Sequence, residues 1–115
     1  MRDYKLHLED ILNAIAKIEK CTRHRSYKRF REEELLIDGV VRNSEIIGEA
    51  SRNLPAAVKN RIPDIEWKKI SGLRNILIHE YFGVDVEILW DIVKNKLPEL
   101  KKTISSYLIQ SQCIF

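Results

Sequence analysis

The 115-residue chain has little that breaks helices, with only 4 glycines and 3 prolines. Together with 32% charged residues, this composition favours long helices with short connections. No apolar run approaches the ~20 residues of a membrane-spanning helix, and the first residues lead into no apolar core of a signal peptide. The only cysteines, Cys21 and Cys113, are far apart and lack metal-ligand spacing, so we expect reduced thiols in a cytoplasmic protein.

Length and charge set broad limits on what the chain can be. A chain of this size is expected to form one domain, 1–115, that buries roughly two-thirds of its unfolded surface. Its formal net charge of +3 is mild and does not by itself select a partner. The sequence contains no repeat, no glycine-rich phosphate loop and no low-complexity linker, so function has to be sought in individual side chains.

Apolar residues recur with a helical period along most of the chain. The predicted helices span 3–21, 32–53, 64–80 and the region from 85 onward. Pro55 is expected at the first position of a short helical turn, and Asp64 is expected to cap the third long helix. Gly83 is expected to end that helix, and Asp85 is expected to cap the fourth helix. Pro98 either kinks the fourth helix or starts a fifth. The pattern predicts an all-α protein, an antiparallel up-and-down bundle of four to five helices.

The segment from Lys20 to Arg31 contains several cations and no carboxylate. Such a run is typical of a solvated loop leading into a helix. The same run is compatible with an approach to a nucleic-acid backbone, and Tyr27 and Phe30 are interleaved as rings on which a base could stack. The candidate RNA-binding residues are Arg23, Arg25, Lys28 and Arg29.

The second long helix combines small residues with charges of both signs. Its small residues would let another helix approach closely; they are Gly39, Ser44, Gly48 and Ala50. Arg42, Glu45 and Glu49 share a polar neighbourhood at helical spacing, so we expect ion pairs within the helix or across a subunit contact. Alternatively, Glu45 or Glu49 pairs with Arg74.

The segment around Arg74 places a cation on an apolar helical face. At about 100° per residue, Arg74 falls within the stripe formed by Trp67, Ile70, Leu73, Leu77 and Ile78. An unpaired guanidinium on a buried face is costly, so it needs a partner or the wall of an anion site. Alternatively, Arg74 extends its head to solvent and His79 is an ordinary residue near a helix C-terminus. Spacing alone leaves both interpretations open.

Several blocks of this sequence resemble one family, in the family's order. Arg74-Asn75-Ile76-Leu77-Ile78-His79-Glu80-Tyr81 resembles the R-x4-H-x-Y signature of HepT-like proteins, in the HEPN superfamily of helical ribonucleases. Segment 42–50 is similar to the family's RN-x-E-I-I-G-E-A block. Segments 63–70 and 82–90 resemble the stretches before and after the signature. R-x4-H alone is a weak signal, whereas the blocks together are specific and cover nearly the whole chain.

The motif residues are suited to RNA cleavage without a metal or other cofactor. His79 can act as acid or base near neutral pH, Arg74 offers a charged fork for phosphate oxygens, and Asn75 can donate a hydrogen bond. One histidine cannot readily perform both proton transfers at once, so a homodimer, or a higher even oligomer, would combine two motifs in one cleft. The resemblance implies the same composite site in an endoribonuclease toxin that leaves a cyclic phosphate.

The resemblance also implies a protein partner. In HepT-like toxins the tyrosine that corresponds to Tyr81 is AMPylated by a minimal nucleotidyltransferase antitoxin; without the family, Tyr81 would be an amphipathic ring at a helix end. Two alternatives remain open at this point. One is a non-catalytic helical protein that presents a nucleotide or substrate to a nucleotidyltransferase. The other is a dimeric helical scaffold in which Arg74 forms interface ion pairs.

Overall fold

The computed structural model describes residues 3–73, 78–79 and 83–112. The helices are α1 (Tyr4–Thr22), α2 (Tyr27–Glu32), α3 (Glu34–Arg52), α4 (Ala56–Arg61), α5 (Trp67–Ser71), α6 (Val86–Asp91) and α7 (Leu97–Gln112). A π-helical turn, Ile92–Lys96, joins α6 to α7, and two short strands, β1 (Ile78–His79) and β2 (Gly83–Val84), pair antiparallel. The predicted all-α helical class is confirmed. Within these ranges no helix is both long enough and apolar enough to cross a membrane.

Helix α1 lies at the centre of the bundle, packed against α3 and α7. Its buried face consists of Leu8, Ile11, Ala14, Ile15 and Ile18. Burying a leucine or isoleucine side chain stabilises the fold by about 1.5–3 kcal/mol. Lys94 Nζ lies 3.4 Å from the Thr22 carbonyl oxygen, and Lys101 Nζ lies 2.9 Å from Glu19 Oε1. Lys101 follows Lys94 in the sequence, whereas its partner Glu19 precedes Thr22. Helix α7 therefore runs antiparallel to α1.

Helix α2 replaces part of the expected loop in the basic segment. It begins after Ser26, whose hydroxyl accepts a hydrogen bond from the Arg29 backbone N–H at 3.2 Å, an ordinary N-cap. Phe30 is its buried residue, fully removed from solvent. The prediction of a solvated loop is therefore wrong for residues 27–31, because a capping serine and a buried ring stabilise a short helix there.

The loop between α1 and α2 is closed by an ion pair. The Arg25 Nε donates to Glu33 Oε2 at 2.6 Å, and Arg25 Nη1 donates to the Cys21 carbonyl at 2.8 Å. These hydrogen-bonded opposite charges raise the pKa of Arg25 and lower the pKa of Glu33. His24, between the two helices, has a positive φ of 69°, a left-handed conformation of the kind that turns require. The chain thus forms a turn between α1 and α2.

Pro98 is accommodated by a widened turn. The Leu97 N–H donates to the carbonyl of Ile92, five residues earlier, as in a π-helix. Proline has no N–H to donate, and its ring needs space beside the preceding turn. The predicted irregularity at Pro98 therefore takes the form of a π-helical turn.

Asp85 caps α6 as predicted, since its Oδ1 accepts a hydrogen bond from the Ile88 N–H at 3.1 Å.

The third long helix is shorter than its pattern predicts. Helix α5 begins at Trp67 with Glu66 as its N-cap, so the predicted cap at Asp64 is wrong. The Gly72 N–H bonds the Lys68 carbonyl at 3.1 Å and marks its end. Glycine weakens a helix interior, while β-branched residues favour strands. Accordingly, the prediction of a helix is wrong for residues 78–79, where Ile78 pairs with Val84 and His79 with Gly83. The prediction that Gly83 ends this helix is wrong for the same reason.

Pro55 is the N-cap of α4, one position earlier than predicted.

Candidate functional site

A cleft of about 290 Å³ opens between the outer face of α3 and the end of α5. Its lining residues are Arg42, Glu45, Ile46, Gly48, Glu49, Arg52 and Ser71. The charged members are spaced three or four positions apart, which places them on one face of α3. Two residues beyond Ser71 comes Leu73, which is buried at 4% exposure. In the sequence, the R-x4-H segment begins three residues after Ser71, the last residue that lines the cleft.

Gly48 determines how closely α5 approaches α3. A Cβ at this position would lie 3.3 Å from the carbonyl oxygen of Ile70 and 3.4 Å from that of Ser71. Both are backbone atoms that cannot rotate away, so a larger side chain would push α5 outward. The predicted close approach is confirmed at Gly48. At Gly39, an added Cβ would meet no atom within 4 Å among the residues that the structure describes, so none of the described helices approaches closely there.

Charges of both signs line the cleft. Glu49 Oε2 lies 3.1 Å from Arg52 Nη2, but these side chains remain 65% and 55% exposed, so the pair contributes little to stability. In the part of the chain that the structure describes, neither Arg42 nor Glu45 has an ion-pair partner within 4 Å. Within the described part of α3, a pair between Glu49 and Arg52 therefore takes the place of the predicted pairs of Arg42. The alternative, ion pairs across a subunit contact, stays a prediction.

Comparison with known families identifies the class of protein. The family model described as "Ribonuclease HepT-like" matches residues 11–107. The chain belongs to the HepT-like ribonuclease family. The HepT-like match spans the α3–α5 cleft and the whole R-x4-H segment, so both lie within the part of the chain that is similar to the family.

Individual HepT-like relatives match along most of their length. A Thermococcus cleftensis protein named "Probable ribonuclease HepT" is 45% identical over 100 residues, covering 87% of this chain and 91% of its own. A Methanocaldococcus jannaschii protein named "Putative RNase MJ1380" is 42% identical over 103 residues, covering 90% and 94%. Both names refer to ribonucleases, and both proteins are about the size of this chain. No solved structure matches.

The structure places the backbone of one residue of the predicted HepT-like site. His79 lies in β1 and pairs with Gly83 of β2. Arg74, Asn75 and Tyr81 lie outside the described residues, so their roles stay predictions. The same holds for the expected pairing of Arg74 with a carboxylate of α3.

The four candidate RNA-binding residues differ in their surroundings. Arg23, Lys28 and Arg29 are exposed, whereas Arg25 is bound to Glu33 and to the Cys21 carbonyl. The sequence reading missed Arg52 as part of the cleft. Arg42, Glu45 and Glu49 follow one another at intervals of three and four residues, and Arg52 follows Glu49 after three. The helical period alone therefore places Arg52 on the same face of α3.

Proposed function

We propose that this protein is a metal-independent endoribonuclease toxin that acts in the cytoplasm as a homodimer, or as a higher even oligomer. The observation that carries the proposal is the α3–α5 cleft, whose last lining residue leads through buried Leu73 into the R-x4-H segment. Membership of a ribonuclease family supports RNA as the substrate.

The proposed reaction uses a nucleophile that RNA itself provides, the 2′-hydroxyl next to the scissile phosphate. The 2′-oxygen attacks phosphorus while the bond from phosphorus to the 5′-oxygen breaks, which leaves a 2′,3′-cyclic phosphate and a 5′-hydroxyl. His79 accepts the 2′ proton or protonates the leaving oxygen. The Arg74 guanidinium balances the charge that develops on the phosphorane, and Asn75 orients the imidazole or the phosphate by a hydrogen bond.

A dimer is proposed because the reaction needs two proton transfers. One imidazole cannot be base and acid in the same step, whereas a two-fold axis through the cleft brings His79 and Arg74 of two subunits together. The charged outer face of α3 borders the same cleft. It would therefore lie close to that axis.

The test of this proposal is cleavage of single-stranded RNA by the purified wild-type protein in excess chelator. We expect fragments with 2′,3′-cyclic phosphate and 5′-hydroxyl ends, detected by mass spectrometry. An RNA of the same sequence with every 2′-hydroxyl methylated is the matched control and should stay intact, because its nucleophile is blocked. RNA that remains whole while nucleotide binds tightly would reject the nuclease. It would favour the alternative of a non-catalytic partner of a nucleotidyltransferase.

We further propose that a minimal nucleotidyltransferase antitoxin silences the enzyme by AMPylating Tyr81. The tyrosine oxygen would attack the α-phosphorus of ATP and release pyrophosphate. Tyr81 lies two residues from His79 and two from Gly83, which are cross-strand partners, so the added phosphate would be attached close to the catalytic histidine. Its negative charge would compete with RNA phosphate for the Arg74 guanidinium.

The AMPylation proposal predicts a mass increase of one AMP after incubation with the nucleotidyltransferase and ATP. Tandem mass spectrometry should locate the group on Tyr81, and the modified protein should lose RNA cleavage. Tyr81→Phe should gain no mass and keep its cleavage activity in the presence of the antitoxin. A modified protein that cleaves RNA at the wild-type rate would contradict the proposed inhibition.

A further inference from the structure

Folding brings two distant segments of the sequence into one aromatic cluster. The ring centroid of Trp90, on α6, lies 4.9 Å from that of Phe30 and 6.0 Å from that of Tyr27, both on α2. Lys94 Nζ lies 4.6 Å from the centre of the Trp90 ring, and the Arg31 guanidinium carbon lies 5.6 Å from that of Tyr27. Cations at these distances are attracted to the ring faces. We call this region, with its neighbouring cations, the α2 surface; it consists of Arg23, Tyr27, Lys28, Arg29, Arg31, Trp90 and Lys94.

The α2 surface carries an excess of positive charge that its neighbours do not cancel. Nearby Glu33 is neutralised by Arg25 at 2.6 Å, and Glu19 by Lys101 at 2.9 Å. By contrast, Arg23, Lys28 and Arg29 are exposed and have no carboxylate within 4 Å among the residues that the structure covers; the ion pairs described there involve other groups. Glu33 and Glu19 are thus paired, and the five cations of the α2 surface still outnumber the other nearby carboxylates, Glu32, Glu34 and Asp91.

Burial and capping contacts support the backbone under these cations. Phe30 is 0% exposed, and the Ser26 hydroxyl caps α2. Lys94 Nζ is fixed between the Trp90 ring and the Thr22 carbonyl, 3.4 Å away. A ligand that binds here would not have to order a loop first, so less of the binding energy is lost to ordering.

We propose that the α2 surface anchors single-stranded RNA outside the cleavage cleft. This inference rests on the proposed ribonuclease function and deepens it by naming where the substrate strand is held. None of the α2 surface residues lines the α3–α5 cleft. The cations contact phosphates, which supplies affinity without sequence preference. The half-buried rings of Tyr27 and Trp90 accept the face or edge of a base.

The test compares two variants with the same change in net charge. The first is Arg23→Gln, Lys28→Gln and Arg29→Gln; the control is Lys5→Gln, Lys59→Gln and Lys102→Gln, three cations outside the α2 surface. Binding to a fluorescent, fully 2′-O-methylated single-stranded RNA is measured by anisotropy over a range of salt concentrations. This RNA cannot be cleaved by attack of a 2′-hydroxyl, so the measurement does not depend on catalysis.

We expect the slope of log binding constant against log salt to become shallower by about 2 in the first variant. This is about 0.7 for each lost phosphate contact on a single strand. The same relation makes the loss of affinity about 100-fold at 0.1 M salt and small at 1 M. In the control variant the slope should match that of the wild type. Equal loss in both variants, or an unchanged slope in the first, would overturn the proposal.

Tryptophan fluorescence provides a second readout at the same surface. Trp67 is buried and its indole N–H bonds the Ile62 carbonyl at 3.1 Å, so RNA should change the emission of Trp90 alone. Trp90→Phe should abolish the RNA-dependent change. A change that persists in this variant would contradict the proposed location. If the wild type binds RNA with the expected salt slope yet never cleaves it, the nuclease proposal fails and the anchoring surface stands.

The other polyanionic partner that suits this surface is an acidic protein. If the first variant loses binding to the antitoxin while its RNA affinity stays that of the wild type, the α2 surface is a protein interface and the RNA proposal is rejected.

Discussion

Replacing His79 by alanine is expected to lower the rate of RNA cleavage by about 10²–10⁴-fold, the usual contribution of a general acid or base. The imidazole is the group proposed to move the proton of the 2′-hydroxyl or of the leaving 5′-oxygen. Phosphate binding by Arg74 would survive, so the loss should appear in kcat and leave KM nearly unchanged. The measurement is steady-state cleavage of a defined RNA by the wild-type and variant proteins.

The control for this prediction is His7→Ala. It removes a histidine of α1 that has no proposed role in catalysis, and it should leave cleavage intact. Size-exclusion chromatography should show the same oligomer for both variants. Mixing adds a test of the composite site. If both His79 side chains of a dimer are needed, diluting wild-type protein into an excess of His79→Ala should lower the activity per wild-type subunit as mixed dimers form. Cleavage by His79→Ala alone at the wild-type rate would refute the catalytic role.

Replacing Phe30 by alanine is expected to lower the free energy of unfolding by about 3–5 kcal/mol, the usual cost of truncating a buried phenylalanine. Phe30 is fully buried and packs 4.9 Å from Trp90, so its removal leaves a cavity beneath α2. A loss of this size is a large fraction of the 5–15 kcal/mol that holds a typical domain together. Urea denaturation followed by circular dichroism measures it.

Phe30→Leu is the matched control, because it keeps an apolar side chain in the cavity and should cost less than the alanine variant. If α2 is held mainly by this ring, Phe30→Ala should also weaken RNA binding, although every cation of the α2 surface is still present. A destabilisation below 1 kcal/mol would show that α2 is held by other contacts.

Local chemistry made parts of this fold predictable. The helix predicted over 3–21 and the cap at Asp85 depend on residues within a few positions of one another, and both appear in the structure, the helix as α1, Tyr4–Thr22. The stretch before His79 shows the limit of such reasoning. Its apolar spacing fits a helix, yet Ile78 pairs with Val84 in a strand, because a short apolar run with β-branched residues satisfies either pattern and its tertiary partner decides between them.

The sequence by itself determined the helical class and the HepT-like motif, and it predicts which residues would cleave RNA. Only the tertiary structure decided that Gly48 brings α5 against α3 to form the cleft, and that Trp90 and Lys94 join the basic segment near α2. The physical reason is the separation in sequence over which each kind of interaction acts. Periodicity and capping report which face of each helix is apolar, whereas contacts between residues tens of positions apart depend on how those faces pack together.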